Sequence, residues 1–170
     1  MKVERFDHAA IAVRDLRAAV GLFCGVLGAE MIHGGDDERL GMRTVQLQFP
    51  GGSKIELLQP LAPDTRLARF LDTRGEGLHH ITFFVDDVAD AERALNEAGF
   101  ETVDTDLRDP DWRETYLRPR SGFGTLIQLA DTARDGWTEP TDAYTVGDVI
   151  EGRILWDGAD TVWRDGGSRT

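Results

Sequence analysis

The chain contains an internal duplication, and this feature limits its possible folds more than any other. The segment that starts at His8 matches the segment that starts at His80, at an offset of 72 residues. In both segments, small and apolar residues precede a helical stretch that ends at glycine. The same offset aligns Ile55-Glu56-Leu57 with Ile127-Gln128-Leu129. Because chance similarity seldom keeps strands and a helix in one register, the sequence predicts two copies of a βαβββ unit.

Local patterns predict the elements of each copy. Asp15 is a predicted N-cap, and the apolar stripe that follows it ends at Gly28. Strict alternation from Thr44 to Phe49 predicts a strand, and a Pro-Gly-Gly turn separates it from the next strand. The predicted strands cover residues 5–13, 44–49, 54–59, 79–85, 101–104, 114–117 and 125–129, with a second helix over 88–98 and a short helix in the connector 60–77.

These elements predict an α+β fold of paired βαβββ modules with a C-terminal extension. The predicted domain spans residues 1–131, with modules at about 5–60 and 77–131, and the extension covers 132–170. Within the extension, the residues on either side of Asp157-Gly158 fit a β-hairpin. We expect the extension to be a partly ordered tail, an arm of a dimer or a cover for a functional site.

Composition excludes several classes of function. The chain has 19 Lys and Arg residues against 31 Asp and Glu residues, and its net charge of −12 argues against binding to nucleic acids or anionic membrane surfaces. A single cysteine, Cys24, excludes a disulfide framework and a cysteine-based zinc site, and we expect it in the core. No apolar stretch is long enough to cross a membrane, and the N-terminus lacks a signal-peptide pattern, so we expect a cytoplasmic protein.

Four polar positions are predicted to share one face of the strands. Because side chains alternate along a strand, His8 and His80 point away from the side that faces the helices. Glu56 and Gln128 do the same, and each follows its histidine by 48 residues. A carboxylate between apolar neighbours is costly to bury without a partner. Two imidazoles, a carboxylate and an amide oxygen therefore predict a divalent metal centre, whereas His79 is expected to be an ordinary core or surface residue.

Three motifs relate the chain to a known family. They are Asp7-His8, Ile55-Glu56-Leu57-Leu58-Gln59-Pro60 and Gly75-Glu76-Gly77-Leu78-His79-His80-Ile81. Together they resemble the vicinal oxygen chelate superfamily, which includes glyoxalases, bleomycin resistance proteins and extradiol dioxygenases. The motifs are most similar to those of methylmalonyl-CoA epimerase, and the resemblance covers residues 5 to about 131.

The resemblance implies a fold, a cofactor, a substrate class and a set of site residues. Paired βαβββ modules would form a metal cleft in a homodimer, and the substrate would be a small molecule such as an acyl-CoA. The divalent metal would be Co, Ni, Zn, Mn or Fe. The resemblance assigns the metal ligands to His8, Glu56, His80 and Gln128, and the substrate contacts to Arg118, Arg120 and Thr44.

Two positions depart from the family pattern. Gln128 stands where these enzymes usually have a glutamate that takes part in proton transfer, and an amide cannot act as a base. Thr44 stands where some epimerases have a second carboxylate. We therefore expect that Glu56 performs the acid–base work, with Gln128 in the catalytic site on the opposite side of the metal, or that the chemistry differs from epimerisation. The predicted reaction is proton abstraction next to a carbonyl, with the metal stabilising an enediolate as a Lewis acid.

Other functions stay open from the sequence. His8, His80 and Glu56 would also suit an Fe(II) dioxygenase, and the superfamily includes glyoxalase-type isomerases or lyases. A non-catalytic protein that binds a small molecule is a further alternative. Five arginines are expected either to meet the phosphates of an acyl-CoA or to be ordinary solvated charges; they are Arg66, Arg69, Arg74, Arg118 and Arg120.

Overall fold

The computed structural model describes residues 1–134 and 140–167. The strands are β1 (Val3–Ala12), β2 (Glu30–Asp37), β3 (Met42–Gln48), β4 (Lys54–Pro60), β5 (Gly77–Val85), β6 (Thr102–Asp109), β7 (Trp112–Leu117), β8 (Leu126–Asp131), β9 (Ile154–Asp157) and β10 (Asp160–Trp163). The helices are α1 (Leu16–Val20), which continues as a π-helix over Gly21–Val26, α2 (Arg66–Arg74), α3 (Val88–Glu97) and α4 (Val146–Ile150). Residues 135–139 and 168–170 of the predicted extension lie outside the described residues.

The chain divides into two compact units, and the first contains residues 1–9 and 79–134 of the described chain. Its strand order is β1-β5-β8-β7-β6, with β8 parallel to β5 and antiparallel to β7. Helix α3 begins where the carboxylate of Asp87 accepts a hydrogen bond from the backbone N–H of Asp90, as its predicted start requires. Val88 and Ala91 on this helix pack against Leu129, and these contacts form the core of the unit.

The second unit contains residues 10–78 and 140–167 of the described chain. Its strand order is β10-β9-β2-β3-β4-β1, and β2, β3 and β4 are antiparallel neighbours. Asp15 caps α1 as predicted, because its side chain accepts from the backbone N–H of Ala18. Leu16 then packs into a core that contains Val45 and Leu57.

Residues 140–167 of the extension belong to the second unit and contribute to its core. Tyr144, Val149 and Ile154 are buried in the same cluster as Val45. The predicted hairpin is confirmed, because β9 and β10 pair in antiparallel fashion. Strand β9 also pairs in parallel fashion with β2, where Asp36 is the partner of Leu155. The extension therefore adds two strands to the edge of this sheet instead of ending as a loose tail.

Strand β2 was not evident from the sequence pattern, and two glycines explain why. Gly34 and Gly35 usually interrupt a strand, and they break the alternation there. In the structure both lie close to the backbone of a neighbouring strand, and the approach is closest at Gly34. A Cβ on Gly34 would lie 2.5 Å from the backbone oxygen of Thr44, and a Cβ on Gly35 would lie 3.2 Å from the backbone carbon of Leu155. The strand is thus held by the neighbouring strands and not by local propensity.

The duplication predicted from the sequence is visible in the strand order. Strands β1-β4-β3-β2 and strands β5-β8-β7-β6 are neighbours in the same order. Each copy has its helix between its first two strands. The predicted α+β fold class is therefore confirmed. No helix among residues 1–134 and 140–167 has the length and apolar character needed to span a bilayer.

Candidate metal centre

His8 is fixed by an acidic neighbour on its own strand. Its side chain is almost fully buried, and its Nδ1 lies 2.8 Å from a carboxylate oxygen of Asp7. Because a carboxylate accepts, Nδ1 carries the hydrogen and Nε2 is the nitrogen suited to a metal. Asp7 is itself held by Arg5, whose Nε donates to its other oxygen at 3.1 Å. This arrangement of a carboxylate, a histidine and a metal-facing nitrogen is common at metal centres.

His80 enters the same region from β5. Its side chain is 6% exposed, and its ring centroid lies 5.7 Å from that of His8. The Nδ1 atoms of His79 and His80 are 2.9 Å apart, so one of them donates a hydrogen to the other. The sequence interpretation treated His79 as an ordinary residue, but the structure places it where it orients the ring of His80. Its position directly before His80 was the available signal.

The structure brings three of the four predicted ligands together. One potential ligand atom from each of His8, Glu56 and His80 lies within 4.8 Å of the other two. Nitrogen and oxygen ligands lie about 2.0–2.2 Å from an ion such as Zn²⁺, so two ligands on opposite sides of it are about 4.2 Å apart. Small side-chain movements would therefore close this set on an ion. Two imidazoles and one carboxylate are also the donor types that divalent transition metals prefer, so these residues fit the group.

Gln128, the fourth predicted ligand, is connected to His8 through Thr82. The hydroxyl of Thr82 donates to Oε1 of Gln128 at 2.6 Å, and its oxygen lies 3.0 Å from Nε2 of His8. Both Thr82 and Gln128 are buried. The register of β5 and β8, which pairs these two residues, explains the contact. The side-chain oxygen of Gln128 therefore faces Thr82, and Thr82 in turn contacts His8.

A buried carboxylate on β7, Glu114, was missed by the sequence interpretation. Its side chain lies beside Gln128, whose Nε2 donates to its Oε2 at 2.7 Å. The same oxygen accepts from Nε1 of Trp112 and from the hydroxyl of Tyr116, both at 2.9 Å. Glu114 is therefore a carboxylate next to a predicted ligand, although it is not part of the cluster of His8, Glu56 and His80. Alternation along β7 places Glu114 and Tyr116 on one face, but the register against Gln128 is not visible in the sequence.

The predicted substrate contacts lie in two different settings. Thr44 is buried, and its hydroxyl accepts from Nε1 of Trp156 at 3.0 Å. The ring of Trp156 also meets His33 edge to face, with centroids 5.2 Å apart. The extension therefore covers the position where some epimerases have a second carboxylate. Arg118 and Arg120 are exposed in the loop between β7 and β8, and Arg120 forms an ion pair with Glu101.

Comparisons with known proteins decide which family this site belongs to. The sequence model of the Glyoxalase/Bleomycin resistance protein/Dioxygenase superfamily matches residues 7–116. The protein belongs to this superfamily. The resemblance read from the sequence motifs is thereby confirmed. Enzymes of this superfamily bind a divalent metal, and the described residues of this member include the cluster of His8, Glu56 and His80.

The relatives of this superfamily member include methylmalonyl-CoA epimerases. It is 39% identical over 131 residues to the ethylmalonyl-CoA/methylmalonyl-CoA epimerase of Cereibacter sphaeroides, a match that covers 75% of this chain and 97% of that protein. The methylmalonyl-CoA epimerase of Mycobacterium tuberculosis has a TM-score of 0.71 at 30% identity, covering 78% of this chain and 90% of that one. A Streptomyces coelicolor methylmalonyl-CoA epimerase in complex with 2-nitronate-propionyl-CoA has a TM-score of 0.70 at 31% identity. This match covers 78% of this chain and 100% of that one.

Proposed function

We propose that the protein is a divalent-metal-dependent epimerase of a 2-carboxyacyl-CoA thioester such as methylmalonyl-CoA. The observation that supports this most directly is the cluster of His8, Glu56 and His80, whose ligand atoms lie within 4.8 Å of one another. The relationship to the Cereibacter sphaeroides enzyme, which this chain matches over 97% of its length, supplies the substrate class. The identity of the metal is part of the proposal, with Co, Ni, Zn, Mn and Fe as candidates.

The reaction requires removal and return of the proton at the carbon between the thioester carbonyl and the carboxylate. A bound divalent ion supplies positive charge to the oxygens of the substrate. His8 and His80 would hold that ion, and Asp7 and His79 fix the direction of the two rings. Burial of His8 and His80 lowers the local dielectric constant, which strengthens the charge interactions of the site.

Glu56 is the proposed base. It is the one carboxylate in the cluster formed by the described residues, and a carboxylate can accept the proton that the amide of Gln128 cannot. We propose that Glu56 takes the proton from one face of the substrate, that a solvent water delivers a proton to the opposite face, and that Glu56 then releases its proton to solvent. General base catalysis of this kind contributes about 10²–10⁴ in rate.

The arginines are proposed to bind the phosphates of the CoA moiety. Arg66, Arg69 and Arg74 lie exposed on α2, and Arg118 and Arg120 lie exposed in the loop after β7. A guanidinium has five N–H groups, so an arginine can bind a phosphate while it keeps a contact within the protein. For example, Arg69 uses one nitrogen to donate to the backbone oxygen of Asp64.

A homodimer, a cytoplasmic location and the domain boundary at residue 131 are further proposals. Exposed apolar side chains support the dimer; Phe6 is 51% exposed, Leu78 52% and Phe123 94%. The charge of −12 and the single cysteine are compatible with the cytoplasm. Light scattering after size-exclusion chromatography tests the dimer directly.

Deuterium exchange tests the proposed function. The metal-loaded protein is incubated with one epimer of methylmalonyl-CoA in D₂O, and mass spectrometry follows deuterium at C2 while the other epimer is quantified. We expect both signals in the wild type. Glu56→Gln, assayed at saturating metal, should lower the exchange rate at least about 100-fold. Glu97→Gln makes the same chemical change at an exposed position on α3 and should leave the rate unchanged.

Two results would contradict the proposal at different levels. If the wild type holds one metal per chain and yet exchanges no deuterium, the epimerase assignment is wrong. If Glu56→Gln retains the wild-type rate and metal content, the epimerase assignment stands but Glu56 is not the base. His80→Ala should lose both metal and exchange, since it removes a ligand.

A further inference from the structure

The side-chain amide of Gln128 forms hydrogen bonds with Thr82, Tyr116 and Glu114. Of these three described neighbours, Glu114 determines which way round the amide lies. An amide and its flipped form have nearly the same shape, so the surrounding donors and acceptors decide the orientation. Thr82 and Tyr116 contact the amide through hydroxyl groups, and a hydroxyl can donate or accept. Glu114 contacts it through a carboxylate, which only accepts. The acceptor character of Glu114 therefore requires Nε2 of Gln128 to face it.

The side chain of Glu114 is itself held in place by donors. Trp112 can only donate through its indole nitrogen, and it does so to Oε2 at 2.9 Å. Tyr116 donates to the same oxygen, which leaves its own oxygen to accept from Gln128 at 2.9 Å. Glu114 is 6% exposed, so water does not compete freely for these bonds. The direction of each bond at this end of the network is thus fixed.

The hydrogen-bond direction that Glu114 imposes extends through Gln128 and Thr82 to His8. With its Nε2 turned to Glu114, Gln128 offers Oε1 to Thr82, whose single hydroxyl hydrogen is used in the bond of 2.6 Å. Thr82 therefore places no hydrogen on Nε2 of His8, although its oxygen is only 3.0 Å away. If the amide were flipped, Thr82 would accept from Gln128 and its hydrogen would turn toward that nitrogen. A hydrogen there would compete with a metal for the same lone pair.

We propose that Glu114 is a positioning residue that orients the amide of Gln128 and, through Thr82, keeps the metal-facing nitrogen of His8 available to the ion. This inference rests on the metal centre of the proposed function and goes beyond it, because Glu114 is outside the predicted ligand set. Glu114 acts only through Gln128 and Thr82 and does not contact the reacting atoms.

A charge-swapped pair of variants tests the proposal. Glu114→Gln keeps the shape of the side chain but can donate as well as accept, so it no longer dictates the amide of Gln128. Gln128→Glu alone places two carboxylates at a contact that measures 2.7 Å in the wild type. In the double variant E114Q/Q128E, the amide at 114 donates to the carboxylate at 128, which still accepts the hydrogen of Thr82. The direction of the network at His8 is then restored.

The readouts are the dissociation constant for Co²⁺, measured by calorimetry, and the melting temperature of the metal-free protein. Loss of an outer partner of a metal ligand typically weakens binding about 10–100-fold, and we expect about 10-fold for Glu114→Gln. The double variant should bind Co²⁺ at least as tightly as the wild type, and Gln128→Glu alone should have the lowest melting temperature. Glu92→Gln, which alters a carboxylate bonded to Thr105 in the same unit, is the matched control and should bind as the wild type does.

The outcomes separate this inference from the proposed function. If Glu114→Gln binds Co²⁺ as tightly as the wild type, or if the double variant binds no better than Glu114→Gln, the positioning role is wrong while the epimerase proposal stands. If the affinities follow the expected order but no variant or wild type exchanges deuterium, the positioning role stands and the epimerase proposal falls. A wild type that binds no divalent metal overturns both.

Discussion

Asp36→Asn should be among the most damaging conservative substitutions in the second unit. Asp36 lies on β2 with its side chain 3% exposed, and it accepts from both Arg43 and Arg164. Arg43 donates to its two oxygens at 2.5 and 2.9 Å, and Arg164 donates at 2.7 Å. Arg43 also reaches the backbone oxygen of Ile150 in the extension. The carboxylate therefore links β2 and β3 to the C-terminal elements.

The size of the effect follows from burial. Removing one partner of a buried ion pair costs about 3–5 kcal/mol, because the remaining charge stays desolvated. Arg43 is 15% exposed and Arg164 is 39% exposed, so water can solvate the second more readily than the first. We therefore expect the lower end, about 3 kcal/mol. At about 2–4 °C per kcal/mol for a chain of this size, the melting temperature should fall by about 6–12 °C.

Urea denaturation followed by circular dichroism measures this free energy. Asp90→Asn is the control, since it makes the same change at an exposed ion pair with Arg93, where both side chains are at least half exposed. Exposed pairs contribute about 0–1 kcal/mol. A loss below about 1 kcal/mol in Asp36→Asn would refute the reasoning, because the buried network would then be worth no more than the surface pair.

Three further predictions concern single positions. The hydrogen bond from the backbone N–H of Asp90 lowers the pKa of Asp87. Asp87→Ala should therefore lower the free energy of unfolding by about 1 kcal/mol at neutral pH, as measured by urea denaturation. This difference from the wild type should disappear as the pH falls below the usual aspartate pKa. Burial raises the pKa of the Cys24 thiol, so alkylation by iodoacetamide should accelerate only above the pH at which an ordinary thiol reacts. Gly34→Ala should lower the melting temperature through its 2.5 Å backbone contact, whereas Gly25→Ala, which meets nothing within 4 Å, should not.

The sequence reveals elements whose signals are local. Asp15 caps its helix as its position before an apolar stripe predicts. Strand β3 follows from strict alternation of apolar and polar residues, although side chains on both of its faces are buried in the structure. Strand β2 cannot be predicted in this way. The reason for Gly34 and Gly35 is the close approach of neighbouring strand backbones, which is visible only in the folded structure.

The candidate site shows the same limit. His8 and His80 could be predicted because the duplication relates them, and Glu56 because a carboxylate between apolar residues needs a partner. Glu114 could not, since its contact with Gln128 depends on the pairing of β7 and β8, which no local pattern encodes. Likewise, nothing near Thr44 in the sequence indicates its bond to Trp156, 112 residues away.

The π-helix after α1 makes the helical segment of the first copy one residue longer than that of the second. Gly28 follows the cap Asp15 by 13 positions, whereas Gly99 follows the cap Asp87 by 12. Both glycines end their helices at positive φ, 75° and 84°. A turn closed by i to i+5 hydrogen bonds holds one residue more than an α-helical turn, and the backbone N–H of Leu27 makes such a bond. The wide turn thus holds the extra residue of the first helix. The connection from Gly28 to β2 is one residue shorter than the connection from Gly99 to β6, so the strands of the two copies keep their constant offset of 72 residues.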